Sequence, residues 1–361
     1  MFSFFGIPTI LKLKNSPYKS ILLAELDVYK NGVTPKITIT DDWSLFNEAL
    51  LANNPSQHYY YKNAIHFKDK LTEVAFVFDE NRQLKTIYFK LLVAPNYFRK
   101  TIRKWLNMQF TNRIENIGQI FHENILIPMT FFSDNLVPIH ASGFSLNGNS
   151  ILLGGTGGTG KTTLELENCL DKNATFITDD IAILDNLGFL FANYNYPKIY
   201  GYNLIGNSKL KNIIFKKESF LSKIHWFLHK NIFGLNKVRR KISPFTLFKN
   251  VKTEKTKLNT YYVLSKNECT MVSQTQLNIE NLSKMTVEII FTEYNYFFNQ
   301  LKWHEFNALS IGNKPIITTN QLEKKWLNIL NKTLENTTNN LINIPLHISH
   351  NEFKKQSNLL I

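Results

Sequence analysis

The chain has 361 residues, enough for one large or two ordinary domains, and 43% of them are hydrophobic, including 28 Phe and 15 Tyr. That composition fits a folded globular protein and excludes a disordered one. The formal charge is +14, and the two cysteines, Cys169 and Cys269, stand too far apart to suggest a disulfide framework or a metal cluster, which fits a reducing compartment.

Residues 1–93 read as mostly β. The first stretch is apolar but interrupted by Pro8, Lys12 and Lys14, so a cytoplasmic strand is preferred to a secretory leader. Strands are expected over 5–13, 21–28 and 36–40, with a hairpin formed by 73–78 and 84–93 across Asp79-Glu80-Asn81-Arg82. Residues 95–123 read as a helix with Trp105, Met108, Ile114 and Ile117 among its apolar positions. This front section has no cluster of catalytic residue types and is read as a recognition or assembly domain, residues 1–115.

The richest segment follows. Residues 136–143, Leu-Val-Pro-Ile-His-Ala-Ser-Gly, read as a strand carrying His140. Asn147-Gly148 is a strong hairpin dipeptide, and the arm it closes could bring His140 back toward residues 151–163. Taken alone, a histidine on an apolar strand is as readily a packed core residue as a functional one. Ile151, Leu152 and Leu153 form a short buried strand, and Gly155, Thr156, Gly157, Gly158, Thr159, Gly160, Lys161 and Thr162 then fit the phosphate-loop pattern G-x-x-x-x-G-K-[ST] in full. Such a loop leaves backbone N–H groups free to surround phosphate oxygens, and the helix expected from Thr162 to Leu170 adds favourable potential for an anion at its start. Lys161 is placed to neutralise the β- and γ-phosphates of a nucleotide, and Thr162 to offer its hydroxyl to a phosphate-bound Mg²⁺. Thr163 is counted with the nucleotide-binding residues of the loop, with filling of the first helical turn as the alternative. The plain alternative is a glycine-rich turn between a strand and a helix.

Residues 174–178 read as a second buried strand ending at Asp179-Asp180. Strand, loop, helix and strand make a βαβ unit, which favours neighbouring parallel strands and sets both aspartates on the same sheet edge as the loop. One carboxylate could hold Mg²⁺ and the other accept a proton from a substrate hydroxyl. The alternative is an Asp pair that caps a turn.

Residues 207–257 hold fourteen Lys and Arg against Glu218 and Glu254, densest at Lys237-Val238-Arg239-Arg240-Lys241. A basic patch attracts acidic peptides, nucleic acids or anionic membranes, although a solvated Lys-rich surface explains it as well. Arg239 or Arg240 is a candidate phosphate or substrate contact, because a planar guanidinium pairs with phosphate; Lys198 is a weaker one. Ile214, Phe215, Phe220, Leu221, Ile224, Phe227 and Leu228 recur at helical spacing, so a helix covering the core or meeting a partner helix is preferred to base stacking. No nucleic-acid module is recognised, and nucleic acid is not expected as a partner. Further on, 261–264 and 271–272 suggest a hairpin, 285–300 and 321–334 helices, and 342–348 a last strand. No apolar run reaches membrane-spanning length, and no repeat is apparent.

The order VPIHASGFSLNGNSILLGGTGGTGKTT followed by FITDD resembles the catalytic domain of HPr serine kinase/phosphorylase and its kinase-like relatives, over about residues 118–205. The resemblance implies a P-loop α/β domain of the phosphoenolpyruvate-carboxykinase-like kind with a mixed sheet, spanning residues 116–361 with the basic insertion 207–257, plus the smaller, mainly β front domain. It implies ATP and Mg²⁺ as cofactors, Lys161 and Thr162 as phosphate and metal contacts, Asp179 as the base that deprotonates a serine hydroxyl, Asp180 near the metal, and His140 close to the transferred phosphate. The chain departs from bifunctional HPr kinases in having His140-Ala141 instead of His-Gly and in lacking the second Glu-, Arg- and Gly-rich block after the Asp-Asp strand. His-Ala-Ser is typical of the kinase-like relatives, some of which modify precursor peptides in lasso-peptide-type clusters. Kinase chemistry therefore carries over better than HPr as substrate or the reverse reaction. The expected acceptor is a peptide or protein serine; a small-molecule kinase and a non-catalytic nucleotide-binding regulatory or assembly protein are the other readings. The oligomeric state, a homo-oligomer included, is left open.

Overall fold

The computed structural model describes residues 1–14, 18–54, 58–92, 113–216 and 218–357. Most of the helix expected over 95–123 lies outside the described residues, and its described end, Arg113–Phe121, is helical. The chain divides into two compact units: one consists of Met1–Ala94, Ile114–Pro138 and Ile290–Ile329, and the other is built from Ile139–Ile289 and Leu330–Ile361. A single cut near residue 115 does not reproduce this division. Ile290–Ile329 belongs with the first unit because its aromatic residues pack there. The Phe297 ring lies 5.5 Å from that of Phe67 and 5.1 Å from that of Phe131, and Trp326 lies 5.5 Å from Phe131. The large area each ring buries outweighs its distance along the chain.

The first unit holds an eight-stranded sheet of β1 (Phe2–Phe4), β2 (Ile7–Lys12), β3 (Ile37–Thr40), β4 (Leu50–Asn54), β5 (His58–Tyr61), β6 (Ala64–Lys68), β7 (Thr72–Phe78) and β8 (Leu84–Leu91), in the order β1-β2-β3-β8-β7-β6-β5-β4. The β7–β8 hairpin falls where expected. The strand expected over 5–13 is present as β2, but it begins later, because Phe5 and Gly6, both at positive φ (52° and 77°), turn the chain back from β1. Residues 21–28 are not a strand: they fold as the helix Lys19–Glu25 and the tight turn Asp27–Tyr29. Leu22 and Leu26, four apart, are both buried, and that spacing suits a helix.

β9 (Leu136–Ile139) carries the chain into the second unit. There follow β10 (Ala141–Leu146), β11 (Asn149–Gly154), β12 (Thr175–Thr178), β13 (Ala182–Asp185), β14 (Phe189–Phe191), β15 (Lys198–Tyr200), β16 (Arg239–Lys241), β17 (Thr256–Lys257), β18 (Thr260–Asn267), β19 (Ser273–Gln276) and β20 (Thr338–Pro345). The main sheet has the order β12-β10-β11-β18-β20-β19 and is mixed. Asn147 and Gly148 make the β10–β11 turn, with φ of 51° and 81°. β11 and β12 run in the same direction, as a βαβ unit requires, but they are not neighbours: antiparallel β10 lies between them. The hairpin expected from 261–264 and 271–272 is also interrupted, since β18 and β19 both pair with β20 and not with each other. The helix expected over 285–300 is two helices, Ile279–Glu293 and Asn295–Ser310, broken at Tyr294. The helix Lys161–Asp171 packs Leu164 and Leu170 against Phe144, Leu153 and Phe176 of this sheet.

The basic segment contributes the helices Ser208–Lys216 and Phe220–Phe233 and β16, which pairs with β15 from just before it. Phe220–Phe233 is helical, but of the two expectations for it, covering the core or meeting a partner helix, the first is not met: Phe220, Leu221 and Phe227 point to solvent. Cys169 and Cys269 are both free thiols. Among the described residues no helix is long and apolar enough to cross a membrane.

Candidate functional site

β11 ends at Gly154, and the chain then loops through 155–160 into the helix Lys161–Asp171. Two glycines are required by geometry. Gly155 has φ +129°, and a Cβ there would lie 2.5 Å from the Leu264 carbonyl oxygen; Gly160 has φ +104°, and a Cβ there would lie 2.6 Å from the Phe353 ring. Thr156, Gly157 and Gly158 form the exposed tip, while Thr159 is buried and its hydroxyl donates to the Thr156 carbonyl at 3.0 Å. The Lys161 side chain is buried and folds back over the loop, donating to the carbonyls of Gly155 (2.7 Å) and Thr156 (2.9 Å). The first intrahelical bond, Leu164 N–H to Gly160 C=O, leaves the preceding amides at the helix start without intrahelical acceptors, which makes that end electropositive.

The hairpin register sets Ala141 opposite Gly154, and β10 also pairs Gly143 with Thr178 of β12. One strand therefore brings His140, the loop and the aspartates to a common edge. Asp179 is almost fully buried. Its carboxylate accepts from the Ser142 hydroxyl at 2.5 Å and from the Thr162 hydroxyl at 3.2 Å. Asp180 adopts a left-handed conformation, φ 69°, which a non-glycine residue holds only at a cost of about 1–3 kcal/mol. Its carboxylate forms an ion pair with Lys198 and lies 3.5 Å from His140 Nε2. Its carbonyl accepts from the Ala141 amide at 3.1 Å.

The two carboxyl groups are driven apart. Burial, and then the neighbouring Asp180 charge, raise Asp179 above the ordinary range, although the Ser142 bond opposes this. Burial also works to raise Asp180, but the Lys198 ammonium and then the bond and charge of His140 outweigh it and hold Asp180 well below. Of the two, Asp179 is therefore the weaker acid. A third carboxyl, Glu165, lies one helical turn beyond Lys161, with no exposed surface. Neither of its oxygens makes a hydrogen bond of good geometry, although the Gly143 backbone offsets a little of the cost. Burial, followed by the Asp179 charge, pushes its pKa well up.

Thr162 thus meets Asp179, His140 and Lys198 meet Asp180, and Lys161 opens the helix that carries Thr162. Thr163 has a partner: its hydroxyl accepts from Asn203 at 3.0 Å, tying the helix to the turn Gly201–Leu204. Arg240 is a correction. It is fully buried, bonded to Glu218 at 2.7 Å and set 5.1 Å from the Trp226 ring centroid, so its guanidinium belongs to the packing of the basic segment and is not offered to a substrate. Arg239 donates to the Tyr200 hydroxyl at 3.0 Å. Sequence reasoning passed over Ser142, Glu165 and Tyr202. Two of them carried a signal: Ser142 is two positions from His140 on an alternating strand, and Glu165 is four positions from Lys161 on a helix. Tyr202, whose hydroxyl is pushed up to about 12 by burial, then by Tyr200 and Asp179, carried none.

Among the described residues no group of three or more His, Cys, Asp and Glu side chains could hold a metal by itself. The oxygen donors beside the loop, the Thr162 hydroxyl and the two carboxylates, suit Mg²⁺, which commonly takes one or two carboxylates together with substrate phosphates and water. Compared with known proteins, the chain matches no family model and no curated protein.

Proposed function

We propose that the chain is an ATP- and Mg²⁺-dependent kinase of the HPr-kinase-like kind, which transfers the γ-phosphate to a hydroxyl, foremost a serine of a peptide or protein. The observation that carries this reading is the convergence on Asp179: a buried carboxylate of raised pKa beside the first turn of a helix that follows a glycine loop. Loop amides and the helix start hold phosphate oxygens. Lys161 exchanges its bonds to the Gly155 and Thr156 carbonyls for charge-assisted bonds to phosphate. Asp179 accepts the proton of the acceptor hydroxyl as its oxygen attacks phosphorus, and ADP leaves. The raised pKa makes Asp179 a stronger base than an ordinary carboxylate. Thr162 and Asp180 would hold Mg²⁺, which supplies neutralising charge to the phosphates. Lys198 and His140 keep Asp180 ionised for that role. Ser142 orients the base. A cytoplasmic setting belongs to the same proposal.

The test is incubation of the purified protein with γ-labelled ATP, Mg²⁺ and a cell extract. Label should move to a peptide or protein, in an acid-stable, base-labile linkage typical of phosphoserine. Label found on a small metabolite would identify the acceptor as a small molecule. Tight ATP binding without transfer to anything would leave a nucleotide-binding regulator and end the kinase reading.

A further inference from the structure

The helix Phe220–Phe233 is folded with its polar side inward. Ser222, His225 and Trp226 are buried. The Ser222 hydroxyl donates to Glu218 at 2.8 Å, and its carbonyl accepts from Arg240 at 3.1 Å. The outward side carries Phe220 (76% exposed), Leu221 (66%), Phe227 (61%) and Ile232 (68%). At about 3.6 residues per turn, Phe220, Ile224, Phe227 and Leu228 fall on one stripe, which Leu221 and Ile232 widen on one side. Lys223 and Lys230, seven apart and both exposed, border the other side. A surface helix of a globular protein has the reverse arrangement. Single exposed apolar residues are ordinary, but a contiguous stripe marks an interaction surface. The helix cannot simply roll over to bury it, because that would strip the buried Arg240–Glu218 pair of its cover and partners.

The charge around the stripe says what covers it. From Ser208 to Lys237 the sole carboxylate is Glu218, and it is buried against Arg240. Lys211, Lys216, Lys223, Lys230 and Lys237 are all exposed. We infer that this helix is an interfacial anchor, lying in the surface of an anionic lipid bilayer with the apolar stripe at the acyl boundary and the lysines on acidic headgroups. Lys side chains at the edge of an apolar stripe reach headgroups while their stems remain in contact with it. A convex helix with one apolar stripe and one cationic border suits a planar surface that offers both complements at once. An acidic peptide would meet the lysines and leave the stripe in water. The helix has 14 residues, about 21 Å at 1.5 Å each, and so lies on a bilayer whose core is about 30 Å thick instead of spanning it. The inference is independent of the kinase reading.

The test is cosedimentation of the full chain with phosphatidylcholine vesicles, with and without phosphatidylserine. The protein should pellet only with the anionic vesicles, and less as salt rises. F220S/F227S and K223E/K230E should each weaken binding on the order of tenfold or more, with the far-UV circular dichroism unchanged because all four side chains lie outside the core. A charge-matched control in the first unit, K314E/K324E, should bind like the parent. Equal loss in that control, equal binding to neutral vesicles, or no binding to either would overturn the inference. So would concentration-dependent self-association abolished by F220S/F227S, or binding of an acidic peptide by a protein that ignores both vesicles.

Discussion

The Ser142 hydroxyl donates to the Asp179 carboxylate across 2.5 Å, joining β10 to the end of β12 at the point where Thr162 also reaches Asp179. A hydrogen bond to the ionised form lowers a carboxyl pKa, so Ser142 opposes the rise that burial imposes on Asp179. In Ser142→Ala that opposition is gone and Asp179 stays protonated to higher pH. The base is active only when ionised, so the acid limb of the kcat/KM profile should move to higher pH while the alkaline side keeps its position. An unmoved acid limb would show that Asp179 is not the titrating base.

Lys161 and Asp179 should separate cleanly by substitution. Lys161→Ala removes charge-assisted bonds to phosphate and should weaken ATP binding by about 1.5–3 kcal/mol, read by calorimetry. Asp179→Asn should retain ATP binding and lose transfer by about 10²–10⁴-fold. Transfer by Asp179→Asn at the parental rate would remove the base assignment and leave only the phosphate cradle.

Arg240 should matter for stability and not for phosphate binding. Arg240→Ala leaves Glu218 buried without its partner and should cost about 3–5 kcal/mol in urea unfolding. Replacing both groups, as in Arg240→Met with Glu218→Leu, should cost much less, because no charge is then stranded. ATP affinity per folded molecule should be the same in all three proteins. A selective loss of ATP affinity in Arg240→Ala would return Arg240 to the site.

The first unit should lose stability on mild acidification through His304. Its Nε2 accepts from the Ile316 amide at 3.3 Å, which only the neutral ring can do, and burial lowers its pKa from 6.5 to about 4. The unfolded chain therefore takes the proton first. The stabilisation is full above pH 6.5 and is lost as pH falls toward about 4, amounting to roughly 3 kcal/mol. Urea midpoints of the parent and of His304→Gln should converge over that window. Parallel curves would mean that another group carries the acid sensitivity.

Much of the site was legible because its signals are local. Asn147-Gly148 specifies its own tight turn, the glycines around Lys161 specify a loop before a helix, and Thr175–Thr178 form a strand that stops at two aspartates whatever lies beside it. Residues 21–28 misled because Ile, Leu and Ala serve either a strand or a helix, and only the burial of Leu22 with Leu26 decides between them.

By itself the amino-acid sequence determined the loop, the turn, the paired aspartates and the density of positive charge, all of which depend on residues within a few positions of one another. The tertiary structure alone decided that β10 lies between β11 and β12, which brings Ser142 to Asp179 and His140 to Asp180. It also decided that Lys198 and Arg240, both cations near aromatic residues in sequence, part company: Lys198 pairs with Asp180, and Arg240 is buried against Glu218. The same packing turned the apolar side of Phe220–Phe233 outward. Strand order and ion pairing are settled by competition among distant partners for burial and charge, and no local pattern records which partner wins.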